Sequence, residues 1–419
     1  MDALTPPPLP PLDGAVVLQV LPALGGGGVE RGTVEMAQAI TRAGGIALVA
    51  SAGGRLAAQV EAAGGRNIPL PLDTKNPLAI WRNAARLAAV IRAEGVRLVH
   101  ARSRAPAWSA WLAARRAGVP FVTTYHGAYG EGIPGKRAYN AVMARGARVI
   151  AISHFIADLI IRRHHLDPAR IRVIPRGVDP ATFDPATVAP ERVRRLAETW
   201  GLPPGRPVAM LPGRLARWKG QSVFLRALAG RALAGRDVVG VLVGDAGQHS
   251  TYARELAAEA ARLGVDLRLV GHCDDMPAAL ALADVVVSAS VEPEAFGRVV
   301  IEAQAMARPV IASAHGGAAE TIKDGDTGLL VKPGDATALG AALDRVLAMA
   351  PETRAALGAR ARAAVRARYT VAAMQAATIG VYREVLGLAA TSPAGAATNR
   401  GQAVMSGEGA PESPRTLRP

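Results

Sequence analysis

The 419-residue chain holds a single cysteine, Cys273, so it forms no intrachain disulfide, and one thiol beside His272 is too little for a structural zinc site. Cys273 reads as a small hydrophobe. Aromatic residues are only 4% of the chain, and no zinc-finger or RNP-like pattern occurs, so nucleic acid is the least supported of the anionic partners. No run of 18 apolar residues escapes a charge: Ala278–Val291 is short and is interrupted by Asp284, which excludes a spanning helix. The opening MDALTPPPLPPLDG lacks a basic region and an apolar core, so no secretion signal is read and a cytoplasmic protein is expected. Lysine is scarce too, with only Lys75, Lys136, Lys219, Lys323 and Lys332.

What is present is a globular composition. With 50% apolar and 20% charged residues the chain can bury a core despite 45 Gly and 30 Pro, and its length favours two domains. The formal charge is +15, and it is uneven: residues 1–205 carry 25 basic against 14 acidic side chains, residues 206–419 carry 24 against 20. Such asymmetry suggests an anionic partner for the first half, either acidic lipid headgroups or an anionic substrate. The alternative is an Arg- and Ala-rich composition that makes any surface basic.

Short β-branched runs alternate with Ala-, Leu- and Arg-rich stretches from Val16 onward. VVLQV, a glycine loop, a helix from about Glu30 to Ala43 and IALVA open the series, and RLVH, FVTT, VIAI and IRVI continue it. VAML, VVGVLVG, LRLVG, VVVSAS, PVIAS and GLLV repeat the pattern after a segment rich in proline and charge. This predicts two α/β domains with parallel sheets. The expected boundaries are a disordered leader 1–13, a first domain 14–185, a linker 186–205, a second domain 206–370, a helix at 371–388 packing back on the first domain, and a disordered tail 389–419.

Three segments suggest chemistry. Gly25–Gly28 lie between a strand and a helix beginning near Glu30, where free amides and the helix dipole suit a phosphate, although a plain βα turn reads equally well. The spacing matches neither the dinucleotide fingerprint nor a P-loop. After VAML, Gly213-Arg214 and then Lys219 place a planar fork and a point charge at a strand's carboxyl end, a pair suited to neutralising a diphosphate leaving group, or else two solvated cations. After VVVSAS, Glu294 and Glu302 stand eight residues apart, about 12 Å along a helix axis, with the amides of Gly297, Arg298 and Val299 between them. That arrangement suits a nucleotide sugar.

Gly213, Arg214, Lys219, the Glu294–Glu302 pair, the glycine loop and HGGAAETIKDGDTGLLV at 315–331 together resemble family 4 of the retaining, nucleotide-sugar-dependent glycosyltransferases, over about residues 14–388. The resemblance implies a GT-B fold, two Rossmann-like domains facing each other across a cleft. It implies Arg214 and Lys219 on the diphosphate, Glu302 on ribose, Glu294 on the donor sugar, His272 and Cys273 near the base, and His126 beside the reaction centre. Gly27, Gly28, Gly213, Phe296, Gly297, Arg298 and Val299 would complete the donor site. Gly244-Asp245-Ala246-Gly247 departs from the family's usual Gly-Asp-Gly-Pro. Asp324-Gly325-Asp326 has the form of a metal-binding D-x-D but reads as a turn before GLLV, so neither metal nor cofactor is expected. The expected reaction is hexosyl transfer with retention from a nucleotide diphosphate sugar to a glycan or glycolipid acceptor, such as growing lipopolysaccharide, by an enzyme peripheral to an anionic membrane. The alternatives are a nucleotide-sugar epimerase and a non-catalytic sugar-nucleotide-binding protein. Docking candidates are Arg102, Arg104, Arg115, Arg116, Lys136, Arg137, Arg162 and Arg163. His100, His154, His164, His165 and His249 lack ligand spacing and read as packing or surface residues.

Overall fold

Two parallel sheets organise the chain. The computed structural model describes residues 8–388 except 231, 232, 234 and 246–250, so Ala246, Gly247, His249, most of the leader and the 389–419 tail lie outside the described residues. The first sheet contains β1 (Val16–Val20), β2 (Ile46–Ser51), β3 (Arg66–Pro69), β4 (Val96–Ala101), β5 (Phe121–Tyr125), β6 (Arg148–Ala151) and β7 (Ile171–Val173), in the order β3-β2-β1-β4-β5-β6-β7. The second contains β8 (Val208–Pro212), β9 (Val239–Val243), β10 (Leu267–Gly271), β11 (Val285–Ser288), β12 (Val310–Ser313) and β13 (Leu329–Val331), in the order β10-β9-β8-β11-β12-β13. Their central strands are largely buried and mostly apolar because helices cover both faces, with Gln19, His100, Thr123 and Thr124 as buried polar exceptions in the first sheet, and each sheet forms a Rossmann-like domain.

The strand order reverses between β1 and β4 in the first sheet and between β8 and β11 in the second. Loops after such strands diverge and leave a crevice at their carboxyl ends, the usual ligand position in open α/β sheets.

Two expectations are corrected. The Pro-rich leader packs from residue 9 on: Leu12 is fully buried with Ile40 and Tyr382, and its amide donates to Ala43 O at 2.7 Å, because two leucines among the prolines supply an apolar face. Within the expected linker, Pro190–Thr199 is a helix, whose Arg192 grips Asp275 at 2.6 Å while Leu196 and Trp200 pack under β8–β10.

The C-terminal helix Val371–Leu386 lies against the first sheet's helices. Gln375 Nε2 donates to Glu35 O at 2.7 Å, and Glu384 takes Arg148 at 2.7 Å and Arg172 at 2.6 Å. His100, buried on β4, bridges Tyr382 (2.6 Å) and Thr124 (2.7 Å). The halves also touch directly. Ser153 Oγ donates to Ala295 O at 2.6 Å, and Glu320 accepts the amides of His154 (2.9 Å) and Phe155 (2.6 Å), capping the His154–His164 helix from the other sheet.

Candidate active site

A cavity of about 560 Å³ opens between the two sheets. From the first half it takes Gly28, Val29, His126, Gly127, Ala128, Ile152 and Arg176, and from the second Arg214, Trp218 and the run Glu292–Arg298. Most of these follow strands: Gly28 opens the helix after β1, His126 follows β5, Arg214 follows β8, and Glu294 lies on the loop after β11. The loops, not the strands, supply the polar groups.

Lys219 sits just behind this lining. Its Nζ is 2.7 Å from Glu294 Oε1 and 4.6 Å above the Trp218 ring, so charge and ring face fix one position for the ammonium. Ser290 Oγ donates to the same Glu294 oxygen. Arg214 is oriented from its backbone, whose carbonyl accepts from Gln221 Nε2 at 3.1 Å.

The Glu294 loop is held by the glycines of the 315–331 motif. Gly317 N donates to Glu294 O at 2.8 Å, and His315 Nε2 lies 2.8 Å from Ser290 O. A Cβ at Gly316 would stand 2.5 Å from Glu294 O, and one at Gly317 2.3 Å from Ala295 O, so only glycine permits this approach. The next helix, Arg298–Ala305, begins at the cavity with its first amides free for an anion.

Arg298 joins the halves: its guanidinium is 3.4 Å from Glu302 and 3.8 Å from Glu35 on the Gly28–Arg42 helix. Glu302 is buried and does not line the cavity. His126 is unusual. Both ring nitrogens are buried without a hydrogen-bond partner, and burial, then Arg176 and Arg102, hold the imidazole well below its ordinary pKa, so it is neutral at pH 7.

The structure thus brings Gly28, His126, Arg214, Lys219, Glu294, Phe296, Gly297 and Arg298 to one place. Phe296 is largely buried and packs edge-on against Tyr369 at 6.0 Å, which makes it a support for the loop. His272 and Cys273 lie apart, in a second cavity lined by Trp200, Leu267–Val270 and Asp275, where His272 is 3.0 Å from Asp274. Gly27, Gly213 and Val299 flank the cleft residues without lining it. Asp324 accepts from Leu330 N at 2.8 Å and Asp326 pairs with Arg360 at 2.8 Å, so these carboxylates serve the turn and the last helices.

The sequence alone assigns no role to Arg176 or Trp218, and none of its own to His315, which opens the 315–331 motif. Arg176 stands one proline beyond the IRVI run, so its place past a strand's carboxyl end was the available signal. For His315 only the close approach of backbones reveals the role.

Comparison with known proteins agrees with this geometry. The family described as Glycosyltransferase Family 4 matches residues 26–182, and Glycosyl transferases group 1 matches residues 193–364. A D-inositol 3-phosphate glycosyltransferase of Xylanimonas cellulosilytica is 34% identical over 327 residues, covering 71% of this chain and 75% of its own. A glycosyltransferase structure from Rickettsia africae superposes with a TM-score of 0.83 at 35% identity, covering 90% of this chain and all of the other. Anabaena HepE in complex with UDP-glucose shares the fold, with a TM-score of 0.75 at 24% identity over 88% of this chain and 99% of that one. On these matches, and on two parallel sheets meeting at a cleft lined with cations and a glycine-held glutamate, the chain belongs to the family 4, group 1 glycosyltransferases of GT-B fold.

Proposed function

We propose that the chain transfers a hexose, with retention and without a metal ion, from a nucleotide diphosphate sugar to a hydroxyl of a glycan or glycolipid acceptor. The observation that carries this is the cluster of Arg214, Lys219 and Glu294 at the carboxyl ends of β8 and β11, beside the free amides of the Arg298–Ala305 helix. Arg214 and Lys219 would neutralise the diphosphate as it leaves, Glu294 would accept hydroxyls of the donor sugar, and neutral His126 would hydrogen-bond that sugar from the other side. Glu302, engaged by Arg298 in the structure, would turn to the ribose when the donor binds.

Glu294 already accepts from Lys219 and Ser290, which weakens it as a nucleophile and supports a front-face route. The bond from the anomeric carbon to phosphate oxygen breaks while the acceptor oxygen bonds to the same face, and the acceptor proton passes to the leaving phosphate.

An anionic membrane surface is proposed as the place of action. Residues 74–157 contain 13 Lys and Arg against only Glu94 and Glu131. On their surface Leu78 and Trp81 are each 56% exposed, Arg116 lies over Trp81, and Arg145 lies 4.3 Å over Trp111. Indole rings under guanidinium groups suit the headgroup layer. Arg102 does not belong to that face, being buried behind the cleft. No helix among the described residues is long and apolar enough to cross a membrane.

Incubating the full chain with donor alone tests the reading, across UDP, GDP and ADP sugars first ranked by thermal shift. Slow hydrolysis and no new sugar fits a transferase; conversion of the sugar would make the protein an epimerase; binding with no turnover in any acceptor extract would make it a binding protein. A donor present at 100 times its dissociation constant stabilises the fold by about 2.7 kcal/mol.

A further inference from the structure

The donor site uses the reversal point of the second sheet and leaves that of the first without an assigned ligand. Beyond β1 and β4 stand the glycine loop and Arg102, and Arg176 reaches the same spot from beyond β7. Arg102 is 3% and Arg176 6% exposed. A Cβ on Gly32, in the Gly28–Arg42 helix, would meet Arg176 NH1 at 2.5 Å and Arg102 NH2 at 3.1 Å, so two buried guanidinium groups crowd one point.

Their protein partners are few. Arg102 NH1 donates to Gln19 Oε1 at 3.0 Å, Arg176 NH2 donates to Gly28 O at 2.5 Å, and Arg102 Nε has no partner. Among the described residues neither forms an ion pair; the nearby Glu35 is taken by Arg298 at 3.8 Å. Burial, Arg102 and Arg298 push the Arg176 guanidinium down to about 9, opposed by Glu35 and Glu30. Burying like charges side by side is strongly unfavourable without a counter-charge. Arg176 faces the cleft beside His126, whose ring nitrogens also lack partners.

We propose that Arg176, backed by Arg102, forms an anion subsite in the first domain that binds a phosphate monoester carried by the acceptor. The proposal rests on the transferase reading above. Two guanidinium forks match a dianionic phosphate in charge and in donor number. The donor diphosphate has its own cations, Arg214 and Lys219, on the other sheet, which leaves this pair for the acceptor.

Titrating the full chain with inorganic phosphate, alone and with a saturating nucleoside diphosphate chosen from UDP, GDP and ADP, tests the subsite. Phosphate should bind the wild type, with an affinity that changes less than threefold when the nucleotide is present. Arg176→Gln should weaken phosphate at least tenfold and leave the nucleotide within threefold. Gly32→Ala keeps both charges and favours its helix while its methyl pushes the guanidinium groups apart, so it should weaken phosphate too. Displacement of bound phosphate by glucose 6-phosphate would identify a soluble acceptor; displacement only by phosphatidic acid vesicles would identify a lipid headgroup. Competition between phosphate and nucleotide would assign the pair to the donor and overturn the proposal, as would no phosphate binding, unchanged binding in both variants, or displacement by neither phosphomonoester. Failure of the nucleotide to bind at all would instead strike the transferase reading.

Discussion

Lys219 Nζ and Glu294 Oε1 stand 2.7 Å apart, joined across 75 residues by the turn after β8 and the loop after β11. Each side chain thereby holds the other ready, and an incoming diphosphate would share the ammonium while the sugar's hydroxyls take up the carboxylate. Removing Lys219 leaves Glu294 with Ser290 and no cation. Lys219→Ala should lower turnover by on the order of a hundredfold or more, the scale of one lost preorganised charge-stabilising donor. A loss under threefold in steady-state kinetics would remove Lys219 from the phosphate.

Transfer should persist in EDTA. Asp324 and Asp326 are committed to Leu330 N and Arg360, and the charge of the diphosphate is proposed to be met by Arg214 and Lys219. Abolition by chelator with rescue by magnesium or manganese would show that a metal carries the diphosphate.

Gly317→Ala should damage the site more than its size suggests. Its methyl would stand 2.3 Å from Ala295 O, so either the Glu294 loop or the Gly316–Ala319 helix must shift. Overpacking of this kind costs about 1–3 kcal/mol, and a thermal melt should show a lowered Tm together with a transfer rate reduced more than tenfold. A full rate at wild-type Tm would mean the loop does not depend on this contact.

Acid should weaken the fold through His100 and His126. Burial is the largest cause holding both well below the ordinary histidine pKa of about 6.5. Below that value the unfolded chain takes up protons that the folded chain refuses, so stability falls as pH falls, by up to about 1.4 kcal/mol per pH unit for each group. Urea unfolding at pH 7 and pH 5.5 should show this slope, reduced in His126→Gln. An unchanged slope in that variant would mean His126 is charged in the folded protein.

The protein should pellet with anionic but not neutral vesicles at low salt and come off near half-molar salt. Basic side chains near an anionic bilayer contribute roughly 1 kcal/mol each, and salt screens them. Trp81→Ala with Arg116→Ala should reduce pelleting several-fold. Negligible pelleting with both vesicle types would leave a soluble acceptor and reduce the charge excess to composition.

The sequence by itself determined the alternation of strands and helices, because burial on both faces forces apolar runs such as VVLQV and VVVSAS, and it determined the order of Arg214, Lys219 and Glu294 along the chain. The tertiary structure decided which loops meet. Arg176 and Arg102 are 74 residues apart in a chain full of arginine, and nothing local separates these two from those on the surface; only the strand order sets them beside Gly32. His272 and Cys273 follow edge strand β10, two strands away from β8 at the reversal point, and so fall outside the cleft despite following a strand as Arg214 does. Local pattern fixes which face of an element is buried, whereas the place of a loop around a cleft depends on strand order, a long-range property carried by packing between residues far apart in the chain.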